Sequence, residues 1–262
     1  MDNMAKSNHP KLMDELSKKF EPSSDIMLKP LQIGDNKVYL FYLKTVVDGN
    51  KLHSIVIKPF FEMKSNDSFQ SYIESLPEQV EMTSGEELQI KLTKGAVLVS
   101  IEDRFYLLDI KLVNSDAVQQ TLIEPTVYGP QLALSEDLDT NLNIIRQRYH
   151  APTLMIEMHD MKEKSRPQVS IMYDEKTVKK SVLRNIKKKL NSLEAPLIQS
   201  AGDLQLQLNG SKVSLFPTLI LTERPDRITY NLAAGKVVLM IDGSPQAVIA
   251  PIVFFDFMVS ME

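Results

Sequence analysis

The sequence contains no cysteine, which removes disulfide frameworks, thiolate metal clusters and cysteine nucleophiles together. Such a chain fits a reducing compartment, and cytosolic exposure is expected. Glycine is sparse, with nine in 262 residues, and no Walker loop, dinucleotide fingerprint, G-x-S-x-G elbow or H-E-x-x-H motif is present. The usual phosphate cradles are therefore missing. Four histidines occur, His9, His53, His150 and His159, and only His159 stands near further ligand types, Glu157 and Asp160. A catalytic metal needs about three converging protein ligands. The reading is of a chain without metal or cofactor, and not of an enzyme.

Long apolar runs are also missing. No window reaches the roughly 18 to 20 apolar residues of a membrane span. The nearest, 248–258, is broken by Pro251 and Asp256; it suits a last core strand or the approach to something beyond the end. The first twenty residues carry Lys6, Asp14, Glu15, Lys18 and Lys19 and are no signal peptide. Leu12, Leu16 and Phe20 predict a short amphipathic helix there. Neither sign of charge dominates: 30 Lys+Arg against 34 Asp+Glu leave a formal charge of −4. This argues against a general nucleic-acid or membrane-surface binder, so a site for anions must be local.

What the chain does contain is a repeat. Leu92, Gly95, Val97 and Ile101 recur as Leu232, Gly235, Val237 and Ile241, all displaced by 140 positions. In both places a helical run closes on a Gly suited to the C′ position, then an apolar strand follows, then an acidic turn, then a return strand. The first copy has strands over 96–101 and 105–110 around Glu102 and Asp103; the second has 237–241 and 247–252 around Asp242 and Gly243. Upstream, each half shows strand, turn, strand: through Gly34 and Asp35 to 38–43, and from Leu154 and Ile156 to 169–173. Helices are expected over 50–63 and 174–191, and loops over 63–69 and 200–211. The prediction is an α/β protein of two related sandwich lobes, each a mixed sheet of about four strands with flanking helices. The expected layout is an N-terminal helix or tail over 1–23, lobes over 24–115 and 153–258, a packed linker over 116–152, and a truncated end at 259–262.

The linker is read as an ordered helix over 136–150. Leu138, Leu142, Ile145 and Tyr149 share one face, acidic Glu136, Asp137 and Asp139 meet the positive end, and Arg146, Arg148 and His150 the negative one. Ser135 is the expected N-cap.

Two clusters bear on binding. The helix after Asp174 carries Lys176, Lys179, Lys180, Arg184, Lys187, Lys188 and Lys189 around Val178, Val182, Ile186 and Leu190. It reads as a solvated face or, through Lys179, Lys180, Lys187 and Lys188, as a docking surface for anionic lipid or an acidic partner. The second is Thr222-Glu223-Arg224-Pro225-Asp226-Arg227. Thr222 suits an N-cap and Pro225 a first helical turn. Two arginines beside a positive helix end need partners elsewhere. Arg224 and Arg227, with Arg146, are candidates for salt bridges, for an interface, or for holding an acidic ligand group.

Phe216-Pro217-Thr218, the Thr222 to Arg227 cluster, Gly235, Val237, the Asp242-Gly243 turn and Pro245 resemble the signature of spore germinant receptor A subunits. Glu124-Pro125, Gly129-Pro130, Glu136, Leu138, Thr140-Asn141, Ile145-Arg146 and Arg148 look like that family's central motif. Where the family usually has Arg-Gly-Pro, this chain has Tyr128-Gly129-Pro130, so no role of that Arg carries over. The resemblance implies the soluble N-terminal region of a protein that continues into membrane helices in the spore inner membrane, with this region on the core side. It implies B and C subunits, other A subunits and a small-molecule germinant as partners, and no nucleic acid. The role it implies is a sensory or assembly module in germination that relays lobe movement, or a scaffold that binds no nutrient.

Overall fold

The structure, a computed structural model, describes residues 10–113, 119–120, 124, 132–161, 167–193, 197–209 and 219–251. The chain divides into two compact units, Met1–Val113 and Asn114–Glu262.

The first unit runs α1 (Lys11–Phe20), β1 (Ile26–Ile33), β2 (Asn36–Leu43), α2 (Gly49–Leu52), a π-helical turn (His53–Ile57), α3 (Lys58–Glu62), α4 (Asn66–Ser75), β3 (Gln79–Val80), α5 (Gly85–Thr93), β4 (Ala96–Ile101) and β5 (Arg104–Asp109). Its sheet has the order β1-β2-β4-β5-β3, antiparallel throughout. Alternation along β2 sends Val38 and Leu40 into a core with Val56, Phe60 and Phe69. Tyr39, Phe41 and Leu43 enter the opposite core with Met13 and Leu16 of α1 and Leu88 and Leu92 of α5. Strand β4, AVLVSI, is buried at every position, as a strand covered by helices on both faces requires. The 50–63 helix widens to π geometry just before Pro59, whose missing N–H removes one regular helical bond.

The second unit runs β6 (Gln119–Gln120), β7 (Leu132–Ala133), α6 (Leu138–Arg148), β8 (Leu154–Asp160), β9 (Gln168–Asp174), α7 (Lys180–Asn191), α8 (Ala201–Asn209), β10 (Ile220–Thr222), α9 (Pro225–Ala233), β11 (Val237–Ile241) and β12 (Ala247–Ala250). Strands β6 and β7 form a separate pair. The main sheet is β8-β9-β11-β12-β10, the order of the first unit strand for strand. Register agrees as well. Val38 faces Ile101 and Phe41 faces Leu98 in the first sheet; Val169 faces Ile241 and Met172 faces Val238 in the second. Helices α6 and α9 fill one core, with Leu138, Leu142, Ile145, Ile228 and Leu232, as α1 and α5 do in the first unit. The opposite core is closed by α7 and α8 through Ile186, Leu190, Leu204 and Leu208. The helix expected as a connector thus packs inside the second unit, where it holds the place of α1.

The repeat extends to backbone contacts. Gly95 has φ +103, and a Cβ there would lie 2.7 Å from the Val46 carbonyl oxygen; Gly235 has φ +78, and its Cβ would lie 2.5 Å from that of Thr177. At a neighbouring corner, Lys44 N donates to Asp25 O at 2.8 Å and Glu175 N to Thr153 O at 2.9 Å. A buried carboxylate fills both corners. In the first unit it is Asp25, accepting from Ser23 and Thr45 hydroxyls at 2.6 and 2.7 Å. In the second it is Asp174, accepting from Tyr149 Oη at 2.6 Å, Thr153 Oγ1 at 2.8 Å and Lys176 N at 2.9 Å.

Several expectations are corrected. Among the described residues each main sheet has five strands, not about four, because β3 and β10 add short edges that carry too few residues to show alternation, and every pairing within the two sheets is antiparallel. The loop expected over 200–211 is a helix where it is described: α8, Ala201–Asn209, buries Ala201, Leu204 and Leu208, and Ser200 Oγ accepts from Asp203 N at 3.1 Å. Helix α4 likewise begins within 63–69, where Ser65 Oγ accepts from Ser68 N at 3.2 Å. Helix α7 starts at Lys180 and not at 174, since Asp174 ends β9 and takes the next N–H groups in a turn.

Candidate functional site

The two stretches singled out in the sequence come together in the second unit, across about a hundred residues of chain. Glu124 is the meeting point. Its Oε2 accepts from Thr222 Oγ1 at 2.6 Å, and its Oε1 takes a short hydrogen bond from Arg227 Nη1. Its backbone N donates to Glu223 Oε1 at 2.9 Å. Glu223 O accepts in turn from Leu134 N at 2.8 Å. Glu124 is 22% and Arg227 16% exposed at the side chain, while Thr222 and Glu223 are buried. An ion pair this shielded keeps its charge-assisted bonds in low dielectric, where they are stronger than at an open surface.

Local sequence explains why the second strand of this brace holds its shape. Pro225 takes the first turn of α9 with Arg224 as N-cap residue, and no side chain caps that end. The Thr222 hydroxyl instead accepts from Arg224 N at 3.1 Å, ahead of the helix. Arg224 forks onto Asp226, Nε to Oδ1 at 3.2 Å and Nη2 to Oδ2 at 2.5 Å. Burial alone would raise the Asp226 carboxyl; the Arg224 fork and nearby backbone N–H groups outweigh it and hold it below its ordinary 3.8. Each arginine that looked misplaced at a positive helix end therefore has an acid beside it.

The other contact is between the β11–β12 turn and the start of α6. Gly243 N donates to Glu136 O at 2.9 Å, and Leu138 N donates to Asp242 Oδ1 at 3.3 Å. The N-cap of α6 is Asp137, which accepts from Thr140 N at 2.7 Å, in place of the expected Ser135. Ser135 is occupied by the fully buried Asn141, which accepts its N–H at 2.8 Å and donates to its carbonyl at 2.7 Å. Arg146 is fully buried and Arg148 exposed. Gly235 sits at the end of α9 as described above. Pro125, Gly129, Pro130, Phe216, Pro217 and Thr218 lie outside the described residues.

The basic helix separates by position. Lys179, Lys180 and Lys188 are exposed, whereas Lys187 is held by Glu157, with Nζ 2.6 Å from Oε2. Glu157 Oε1 also accepts from Tyr173 Oη at 2.5 Å. Burial, then the Glu157 carboxylate, push the Tyr173 hydroxyl far above the tyrosine range. Sequence reasoning set Glu157 beside His159 as a ligand type and missed this trio. The available signal was strand alternation, which puts Glu157 and Tyr173 on one face of β8 and β9, two positions off direct register. Among the described residues no group of three or more His, Asp or Glu is placed to hold a metal. No helix among them is long and apolar enough to cross a membrane.

Comparison with known proteins adds the following. The model of the Bacillus/Clostridium GerA spore germination protein family matches residues 14–262. The chain is similar to spore germination protein GerQA of Bacillus cereus, 28% identical over 260 residues, covering 97% of this chain and 52% of the relative. Spore germination protein GerIA of the same organism is 30% identical over 256 residues, covering 95% of this chain and 38% of the relative. The chain thus spans about half or less of the length of these relatives. The crystal structure of the N-terminal domain of the A subunit of the Bacillus megaterium spore germinant receptor GerK3 matches with a TM-score of 0.67 at 22% identity, over 92% of this chain and 94% of that one. That likeness shows the shared two-lobe α/β fold.

Proposed function

Because this chain belongs to the Bacillus/Clostridium GerA spore germination protein family, we propose that it is the N-terminal sensory and assembly region of a germinant receptor A subunit. It takes part in triggering germination by passing a change felt in one unit to membrane segments of the full-length protein. The observation that carries this reading is the Glu124 brace, which ties the two most family-like stretches into one partly buried polar network. A network of that kind is satisfied in one arrangement and costly to leave half-made, which suits a module that must hold or release a defined state. Each unit has its own cores, so each can move as a body. Partner subunits of the B and C type, other A subunits and a small-molecule germinant are the ligands this reading calls for. The site is the spore inner membrane, with this region on the core side. We assign it no catalytic role, in keeping with relatives named as germination proteins.

The test is germination of spores whose only copy of this gene carries Glu124→Gln or Arg227→Lys, with receptor levels measured in the same spores. Loss of nutrient response at normal receptor level supports a signalling role. Loss of the receptor itself favours the second reading, a scaffold that assembles subunits and binds no nutrient. An unchanged response in both variants overturns the part given to the brace.

A further inference from the structure

Between Lys176 and Lys189 the chain has seven basic residues and no acidic one, in a protein whose formal charge is −4. Helix stability accounts at most for Lys188 and Lys189, which lie in the last turn of α7 near its negative end. Lys180, Arg184 and Lys188 follow at four-residue spacing, so like charges stand over one another along α7, which opposes helix formation. Lys179 and Lys180 sit at the positive end, where no acidic residue occupies the first turn and cations are unfavourable. Lys187 is explained by Glu157, and Lys189 Nζ donates to Leu208 O at 2.9 Å. Lys176, Lys179, Lys180, Arg184 and Lys188 are exposed and make no ion pair with the described residues. A row of unneutralised cations on one outward face is suited to an anionic surface.

We propose that the outward face of α7, centred on Lys180, Arg184 and Lys188, docks on the anionic headgroups of a phospholipid bilayer. Two observations favour a bilayer over other polyanions. The face is a stripe of flexible cations with no aromatic residue from Lys176 to Lys189, so it lacks the stacking platforms used to hold single-stranded nucleic acid. Position agrees: Pro251, where the polypeptide leaves β12, lines a cavity of about 280 Å³ together with Val182, Ile186 and Lys189 of α7. Helix α7 therefore flanks the strand end that leads toward the membrane segments of the full-length protein. This step rests on the membrane reading proposed above. Cations held at such a surface each strengthen attachment, and salt weakens it within a Debye length.

The experiment is co-sedimentation of the 262-residue chain with phosphatidylcholine vesicles and with vesicles containing phosphatidylglycerol. Binding is expected only to the anionic vesicles and should fall as salt rises. Lys180→Glu, Arg184→Glu and Lys188→Glu together should weaken it on the order of a hundredfold or more; the same three positions changed to Gln give a milder variant if the first does not fold. Lys11→Glu, Lys18→Glu and Lys19→Glu, an equal charge change on α1, should leave most binding intact. No binding by the native chain, or equal losses from both sets of changes, overturns the proposal. So does tighter binding to a DNA duplex than to vesicles, or displacement by inorganic phosphate beyond that caused by sodium chloride of equal ionic strength. Absent vesicle binding beside a germination defect in the Glu124 variants would remove this inference alone; the reverse result would remove the role of the brace alone.

Discussion

Gly95 approaches the carbonyl of Val46 so closely that a Cβ would stand 2.7 Å from the oxygen. The second unit repeats the contact between Gly235 and Thr177 at 2.5 Å. Both glycines also have positive φ, so alanine adds backbone strain to a clash with an immovable atom. We expect Gly95→Ala and Gly235→Ala each to destabilise by more than about 2 kcal/mol. Gly34→Ala and Gly243→Ala, with positive φ and nothing within 4 Å of the added atom, should cost only about 1 kcal/mol. Urea unfolding of the four variants checks the ordering.

The Glu124 brace makes a separate prediction. Glu124→Ala strands the Arg227 guanidinium and the Thr222 hydroxyl in a shielded place, with an expected loss of about 2–4 kcal/mol. Thr222→Val removes both bonds of that hydroxyl, the one given to Glu124 and the one accepted from Arg224 N, and should cost about 1–3 kcal/mol. A double-mutant cycle between Glu124 and Arg227 should give a coupling energy above about 1 kcal/mol. Additive effects would show that the pair does not act as one.

Asp226 sets an acid dependence. Its carboxyl in the folded protein lies below the ordinary 3.8, so the unfolded chain binds this proton first as pH falls. The stabilisation is fully present above the unfolded value and is lost as pH drops through the folded one. Between pH 5 and pH 2, Asp226→Asn should therefore flatten the decline of the urea midpoint relative to the native chain. Parallel curves would refute the assignment.

On α7, neighbouring lysines should behave differently. Lys187→Met breaks the contact with Glu157 and is expected to cost about 0.5–1 kcal/mol, whereas Lys188→Met, exposed, should change stability by a few tenths at most. Thermal unfolding of the two variants at low and high salt reads this difference.

The repeat was legible because its markers are the residues physics constrains most. A helix-ending Gly and a fully apolar strand leave few substitutes, so Leu92, Gly95, Val97 and Ile101 kept their 140-residue spacing from their counterparts. The α8 helix was hidden because its exposed face carries Leu206 and Gln residues, which blur the 3.6-residue period. The brace was half visible. Two arginines at a positive helix end announced missing partners, but Glu124 lies about a hundred residues away, and no local pattern names an acid that only folding brings near. Ser135 drew attention as a cap for its residue type, yet Asp137, two residues on, is the side chain placed to reach Thr140 N.

The acid at the corner of each sheet comes from a different place along the chain. Asp25 precedes β1 in the first unit, while Asp174 ends β9 in the second, and the residue matching Asp25 by the shared backbone bond is Thr153. In both units that corner holds a buried acid toward which hydroxyl groups point, although the position supplying it differs. The likeness of the two units at this corner therefore lies in geometry and chemistry, where matched letters alone would miss it.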